Sequence, residues 1–147
     1  MAHPQPQQGI AAVELALVLP VCVFLLALML FVGKVLYCYE AATKAAYAGS
    51  LYLSSISKLD MKNSAQIGNH VALAQQLIAA ELNELQLTPY PPSVQISCGA
   101  GSCDGYLPPT TVTVSIHLQL VDNMFSGVTG WDTISVGIDV KLPYLGT

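Results

Sequence analysis

The chain has no arginine and only five lysines, set against nine acidic residues, for a net charge of −4. Binding to nucleic acid rests on clustered Lys and Arg that neutralise phosphates. No such cluster is present, so that class of partner is excluded. Charged residues of all kinds make up only 10% of the sequence, whereas 53% is hydrophobic. An ordinary soluble domain carries about 25% charged residues, so something beyond a water-facing fold must absorb the apolar excess. Catalytic signatures are missing as well. There is no Gly-x-Ser-x-Gly elbow, no His-Glu-x-x-His, no P-loop and no dinucleotide fingerprint. His117 lies on the polar side of an alternating segment with no nucleophile motif beside it, and reads as solvated. Asp104, Asp122 and Asp132 fall in loops and read as turn formers. The chain is therefore read as non-enzymatic, with no metal and no cofactor.

The apolar excess is concentrated near the start. A polar leader, Met1-Ala2-His3-Pro4-Gln5-Pro6-Gln7-Gln8, stops at Gly9, and an uninterrupted apolar run covers residues 10–33. As a helix that run would rise about 36 Å, enough to cross a hydrocarbon core of about 30 Å with some tilt. A cleaved secretory signal is a poorer reading. The leader has no basic residue, the run is too long, and the only small-residue site, Ala46-Tyr47-Ala48, lies well beyond it. Glu14 is the single charge in the run. A carboxylate at the centre of a membrane segment costs about 2.5–3.5 kcal/mol, less near an end, and marks a functional position whose partner should be identifiable. Pro20, inside the run, is read first as a kink that a membrane helix tolerates.

The stretch Gly9-Ile10-Ala11-Ala12-Val13-Glu14-Leu15-Ala16-Leu17-Val18-Leu19-Pro20 resembles the N-terminus of type IV pilin-like proteins. More narrowly, it is similar to TadE-type pseudopilins of the tight-adherence (type IVb, Flp) pilus system. Gln8 stands where prepilin leaders commonly carry a basic residue, and Leu15 where TadE-like proteins often have Phe. The resemblance implies a pseudopilin or minor pilin that acts in assembling or initiating an adhesive pilus. It implies cleavage between Gly9 and Ile10 by a prepilin peptidase. It also implies that Glu14 of one subunit registers against the new amine on Ile10 of a neighbour. The implied partners are the peptidase, the major Flp-type pilin, a second pseudopilin, the inner-membrane assembly platform and membrane lipid. The implied location is the inner membrane, single-pass, with a periplasmic C-terminal part and a possible place in the filament. The alternative reading is a plain signal-anchored envelope protein with a ligand- or partner-binding head.

Charge alone points the other way on topology. Lys34 and Lys44 follow the span and no Lys or Arg precedes it, which by the positive-inside rule leaves the C-terminal part cytoplasmic. The resemblance and the cysteines outweigh that rule here. Cys98-Gly-Ala-Gly-Ser-Cys103 places two thiols in a Gly-rich loop, a spacing that reads as a structural disulfide and suits an oxidising compartment. It is not the Cys-x-x-Cys of redox catalysts. Free thiols are the second reading. Zinc would need two more ligands, and only His70 and His117 are near in sequence. Cys22 reads as a small hydrophobe, and Cys38 sits near the expected membrane surface, as do Tyr37 and Tyr39.

After Gly33, an alanine-rich, proline-free stretch predicts that one helix continues to about Ser57. A polar break follows over 58–63, with Asn63 as an N-cap and Gln66 three residues on. Ile67, Val71, Ala74, Ile78, Leu82 and Leu85 then recur at helical spacing and predict a second helix over about 64–87, ended by Thr88-Pro89-Tyr90-Pro91-Pro92. Three segments alternate with a period of two: Val94, Ile96 and Cys98; Val112 through Leu120; and Ile134 through Leu142. The apolar loop over 122–131 either tucks into the core or forms a docking patch. The expected architecture is α+β and pilin-like: a long N-terminal helix, part transmembrane and part stalk, and a second helix packed on a small antiparallel three-stranded sheet. The expected segments are a leader (1–9), a transmembrane half-helix (10–33), a periplasmic stalk helix and break (34–62), and a periplasmic α+β head (63–147).

Overall fold

The computed structural model describes residues 8–85, 87, 89–122, 125–130 and 132–146. The expected leader thus lies outside the described residues up to residue 7, as do Thr88 of the proline linker and Asn123, Met124 and Trp131 of the apolar loop. The fold is α+β, in the order α1 (Gln8–Ser54), α2 (Lys58–Met61), α3 (Ser64–Asn83), β1 (Ser93–Cys98), β2 (Thr111–Val121), α4 (Ser126–Thr129) and β3 (Thr133–Pro143). The chain divides into two compact units, Met1–Val35 and Leu36–Thr147.

In the first unit, α1 is helical from Gln8 onward and runs unbroken through Pro20. Its side chains face outward on all sides: Leu17 is 71% exposed and Met29 73%. None of the most apolar window of this helix is buried. Leaving a Val, Leu or Phe side chain in water rather than burying it forgoes about 1.5–3 kcal/mol. A dozen such residues would outweigh the 5–15 kcal/mol that stabilises a typical domain. A helix with these dimensions and this surface is fit for a bilayer, where its backbone groups bond internally and lipid covers its sides.

The second unit starts at Leu36 and includes the rest of α1. Cys38, Ala42, Ala45, Ala46, Leu53, Ser50 and Ser54 are buried there, on the i, i+3, i+4 spacing of a single helical face. The small side chains allow close approach: a Cβ built on Gly49 would lie 2.5 Å from Cδ1 of Ile78 on α3. Glycine and serines weaken an isolated helix, but here the glycine makes room. The buried hydroxyls bond back along the helix, Ser50 Oγ to the Tyr47 carbonyl and Ser54 Oγ to the Leu51 carbonyl, which satisfies them without a partner elsewhere.

The helix stops at Ser54 rather than Ser57 because a new cap begins. Ser57 accepts from the Asp60 amide at 3.2 Å, and its hydroxyl donates to Asp60 Oδ2 at 2.8 Å. This reciprocal cap starts the single turn α2 and drives Met61 into the core. Asn63 caps α3 as its sequence suggests, its side chain accepting from the Ala65 amide at 3.1 Å. The Asn63 amide is already held by the Asp60 carbonyl at 3.1 Å, which leaves Gln66 no capping-box role. On α3, Ile67, Ala74, Ile78 and Leu82 are buried. The helix ends at Asn83, four residues before the expected end at Leu87.

The sheet has the order β1-β2-β3 and is antiparallel throughout. Central β2 buries Val112, Val114, Ile116, Leu118 and Leu120 on one face, while His117 and Gln119 on the other are exposed. Leu53, Ile56, Met61, Ile67, Ala74 and Val112 form one cluster, so α1, α2, α3 and β2 share a core. The loop after β2 is tied by Asp122, whose Oδ1 accepts from the Phe125 amide at 2.8 Å and whose amide bonds the Asp132 carbonyl at 3.0 Å. Phe125 is half-buried.

The C-terminus returns to the end of α1. The amides of Leu145 and Gly146 donate to the Ser54 carbonyl at 3.1 and 3.4 Å, and the Tyr144 hydroxyl donates to the Ile56 carbonyl at 2.8 Å. Carbonyls at a helix end have no partner within the helix, and the tail supplies one.

Two outcomes follow for unfolding of the full chain in detergent, measured with urea. Leu53→Ala should lower stability by about 2–5 kcal/mol, the cost of a buried Leu replaced by a cavity. Tyr144→Phe should cost about 1 kcal/mol through the lost hydrogen bond. The Tyr144 phenol is raised above 10.0, first by burial and then by the charge of Asp60. Its contribution is therefore whole below about pH 10 and fades as pH climbs through the raised folded value; Tyr144→Phe should remove that part of the alkaline loss.

Candidate functional site

Two groups of residues carry the chemistry. The first is at the start of α1. Gly9 and Ile10 lie in its first turns, with helical backbone. This differs from the extended conformation that a peptidase needs at a cut bond, and arises because the alanine-rich residues after Gly9 favour helix. Glu14 is exposed, among Val13 at 63% and Leu15 at 64%. It lies four residues after Ile10, about 6 Å further along the helix axis. Pro20 follows at a position where the helix continues despite the missing amide donor. Over residues 11–34 only Ala27 and Phe31 are even half-buried. Cys22 is exposed there as a free thiol.

The second group is the loop between β1 and β2. Cys98 and Cys103 form a disulfide with Cα atoms 4.9 Å apart. The loop folds tightly because Gly99 takes a positive φ of 67° and the Cys98 amide bonds the Gly101 carbonyl at 2.8 Å. Both cysteines pack against the core cluster. Gly105 has a φ of +82°, and a Cβ there would lie 2.7 Å from the backbone of Ser64. Only glycine lets this loop rest on the start of α3. Beside the disulfide is an open cleft of about 210 Å³ lined by Met61, Asp104, Gly105, Tyr106 and Pro109 among others. Tyr106 and Leu107 are each 80% exposed. Sequence reasoning passed over this cleft; the signal that could have marked it is the run Gly105-Tyr106-Leu107-Pro108-Pro109, whose apolar side chains between a glycine and two prolines are kept out of a strand.

The two groups fall in different units of the chain. His70 and His117 serve neither. His70 Nδ1 meets the Tyr52 hydroxyl at 2.8 Å, tying α3 to α1, and the His117 ring lies over Gly137 on the exposed sheet face. Among the described residues, no group of His, Cys, Asp and Glu is arranged to hold a metal ion. Cys38 is buried and takes no part in a disulfide.

Residues 9–51 match the family model described as TadE-like protein. No curated protein and no solved structure matches the chain.

Reduction of the disulfide, or Cys98→Ser with Cys103→Ser, should lower the stability of the second unit by roughly 2 kcal/mol, since the closed loop is short. Urea unfolding with and without reductant measures this, and the double variant should no longer respond to reductant.

Proposed function

Proceeding from a TadE-like segment over residues 9–51, we propose that the chain is a minor pilin, or pseudopilin, of a Tad-type pilus, a structural subunit rather than an enzyme. The observation that carries this reading is the spacing of Gly9, Ile10 and Glu14 at the head of a helix fit to cross a bilayer. A prepilin peptidase cuts between Gly9 and Ile10. The helical turn at that bond has to open locally for the cut, and Gly9 makes the opening easy because it lowers helix propensity by about 1 kcal/mol relative to Ala.

The cut changes the electrostatics of the membrane segment. Before it, Glu14 is an acid in an apolar helix with no cation nearby in sequence. After it, Ile10 bears an ammonium group, and each subunit presents one positive and one negative charge a helical turn apart. Packing the Glu14 carboxylate of one subunit against the Ile10 amine of the next neutralises both within hydrocarbon, where opposite charges attract strongly and isolated ones are costly. The pairing sets the axial stagger between subunits, because any other stagger leaves a charge unmatched.

The same reading puts the second unit on the periplasmic side, supported by its disulfide, which persists where the compartment is oxidising. Lys34 and Lys44 then follow the span on the side opposite to the charge rule. In this reading the disulfide and the TadE-like segment outweigh a bias of two lysines. The major pilin, a second pseudopilin and the platform are the partners in this reading, with the second unit providing the specific contacts.

N-terminal sequencing of the protein purified from its own cell envelope should begin at Ile10. Gly9→Val should leave the leader attached. Glu14→Ala should still be cut but should fail to support piliation, with the protein remaining in the inner membrane. A mature chain that keeps Met1 or Ala2 rules the reading out, and normal piliation by Glu14→Ala reduces the protein to a simple anchor.

A further inference from the structure

We propose that the outer edge of β3 pairs with β3 of a second copy of this chain, antiparallel and centred on Val140. The sheet has two edges, and they differ. β1 has 6 residues, follows the prolines of the linker, and ends in the disulfide turn that occupies its last amide. β3 has 11 residues and pairs with β2 from Thr133 to Pro143 without a bulge. Among the described residues, every backbone partner of β3 lies in β2, and its outer edge has none. A long, regular, uncovered edge is a template for another strand unless charge, proline or a bulge protects it.

The charges on β3 determine which strand fits. Asp139 and Lys141 lie on the exposed face, two residues apart. Within the sheet they stand opposite Ser115 and Thr113, so neither has a charged neighbour across the strands. A second copy laid parallel and in register would set Asp139 beside Asp139 and Lys141 beside Lys141. An antiparallel copy centred on Ile138 would set them beside Gly137 and Ser135. Centring on Val140 instead places Asp139 opposite the partner's Lys141, and Lys141 opposite the partner's Asp139. Opposite charges directly across a strand pair stabilise it, and like charges destabilise it. This register is self-complementary, as a two-fold interface requires.

The other face agrees. The register sets Ile138 opposite the partner's Leu142 and Val140 opposite its own copy. On β2 the inward side chains from Val112 to Leu118 are fully buried, whereas Val140 and Leu142 on β3 remain half-exposed. A second sheet edge would cover them. Pro143, which has no amide to give, falls opposite the partner's Gly137 at the end of the paired stretch, where a missing donor matters least. The inference does not depend on the pilus reading, since it uses only the second unit.

Charge reversal tests it with the full chain in detergent, folding being checked by circular dichroism and association by sedimentation. The wild type should form dimers. Asp139→Lys and Lys141→Asp should each weaken dimerisation by at least about tenfold, because each turns two attractive cross-strand pairs into repulsive ones. The combined Asp139→Lys/Lys141→Asp chain should regain wild-type association. In a background with Cys22→Ala and Cys38→Ala, Val140→Cys should oxidise to a covalent dimer faster than Val136→Cys. A monomeric wild type, single reversals that leave the dimer intact, failure of the combined variant to recover, or equal cross-linking at both positions would each overturn the proposal.

Discussion

Close approach at α1's small-residue face holds the globular unit together. Ala42, Ala45, Ala46 and Gly49 leave room for α3 to lie against α1, with the Ile78 side chain seated over Gly49. Larger side chains here would separate the helices, and the core cluster around Leu53, Met61 and Ile67 would lose the wall that α1 provides. Interiors are close-packed, so a gap of even a methyl group is felt. The same helix has the opposite surface nearer its start, with large apolar side chains facing outward on every side. One secondary structure thus meets two environments. Bulky apolar residues suit lipid, and small ones suit contact with protein. The change in residue size near Leu36 coincides with the boundary between the two units.

This arrangement explains the economy of charge in the sequence. A membrane helix admits few charges, and the second unit gains little from more, because its core is built from alternation in the strands and a stripe on α3. Polar groups that do become buried are satisfied locally. Ser50 and Ser54 bond along α1, Asp122 ties its own loop, and among the described residues no buried side-chain nitrogen or oxygen lacks a partner.

Much of this was legible in the sequence because it rests on periodicity. The period of two over residues 112–120 and 134–142 places both long strands, and the stripe from Ile67 to Leu82 places α3. The spacing of Cys98 and Cys103 gave the disulfide. What was less legible depends on contacts distant in sequence. Gly49, Ser50 and Ser54 look like helix-weakening residues until the neighbour that needs their small size is known. The polar stretch over 58–63 hid the turn α2, although Ser57 and Asp60 stand at capping-box spacing. The short α4 has no side-chain cap and left no signal. For the candidate site, the sequence pattern singles out Gly9, Ile10 and Glu14, but not the helical backbone at Gly9, which follows from the strength of the helix after it. The cleft beside the disulfide was not anticipated, since it depends on Gly105 resting on α3.

The clasp between Tyr144, Leu145, Gly146 and the end of α1 affects the timing of folding. Tyr144, which helps close the first helix, lies 88 positions beyond Ile56 and is synthesised long after it. Until residues 144–146 emerge, the Ser54 and Ile56 carbonyls lack these partners and the core cluster lacks the Tyr144 side chain packed against it. Closure of the second unit therefore waits for residues 144–146, and a nascent chain held short of them cannot complete the end of its first helix.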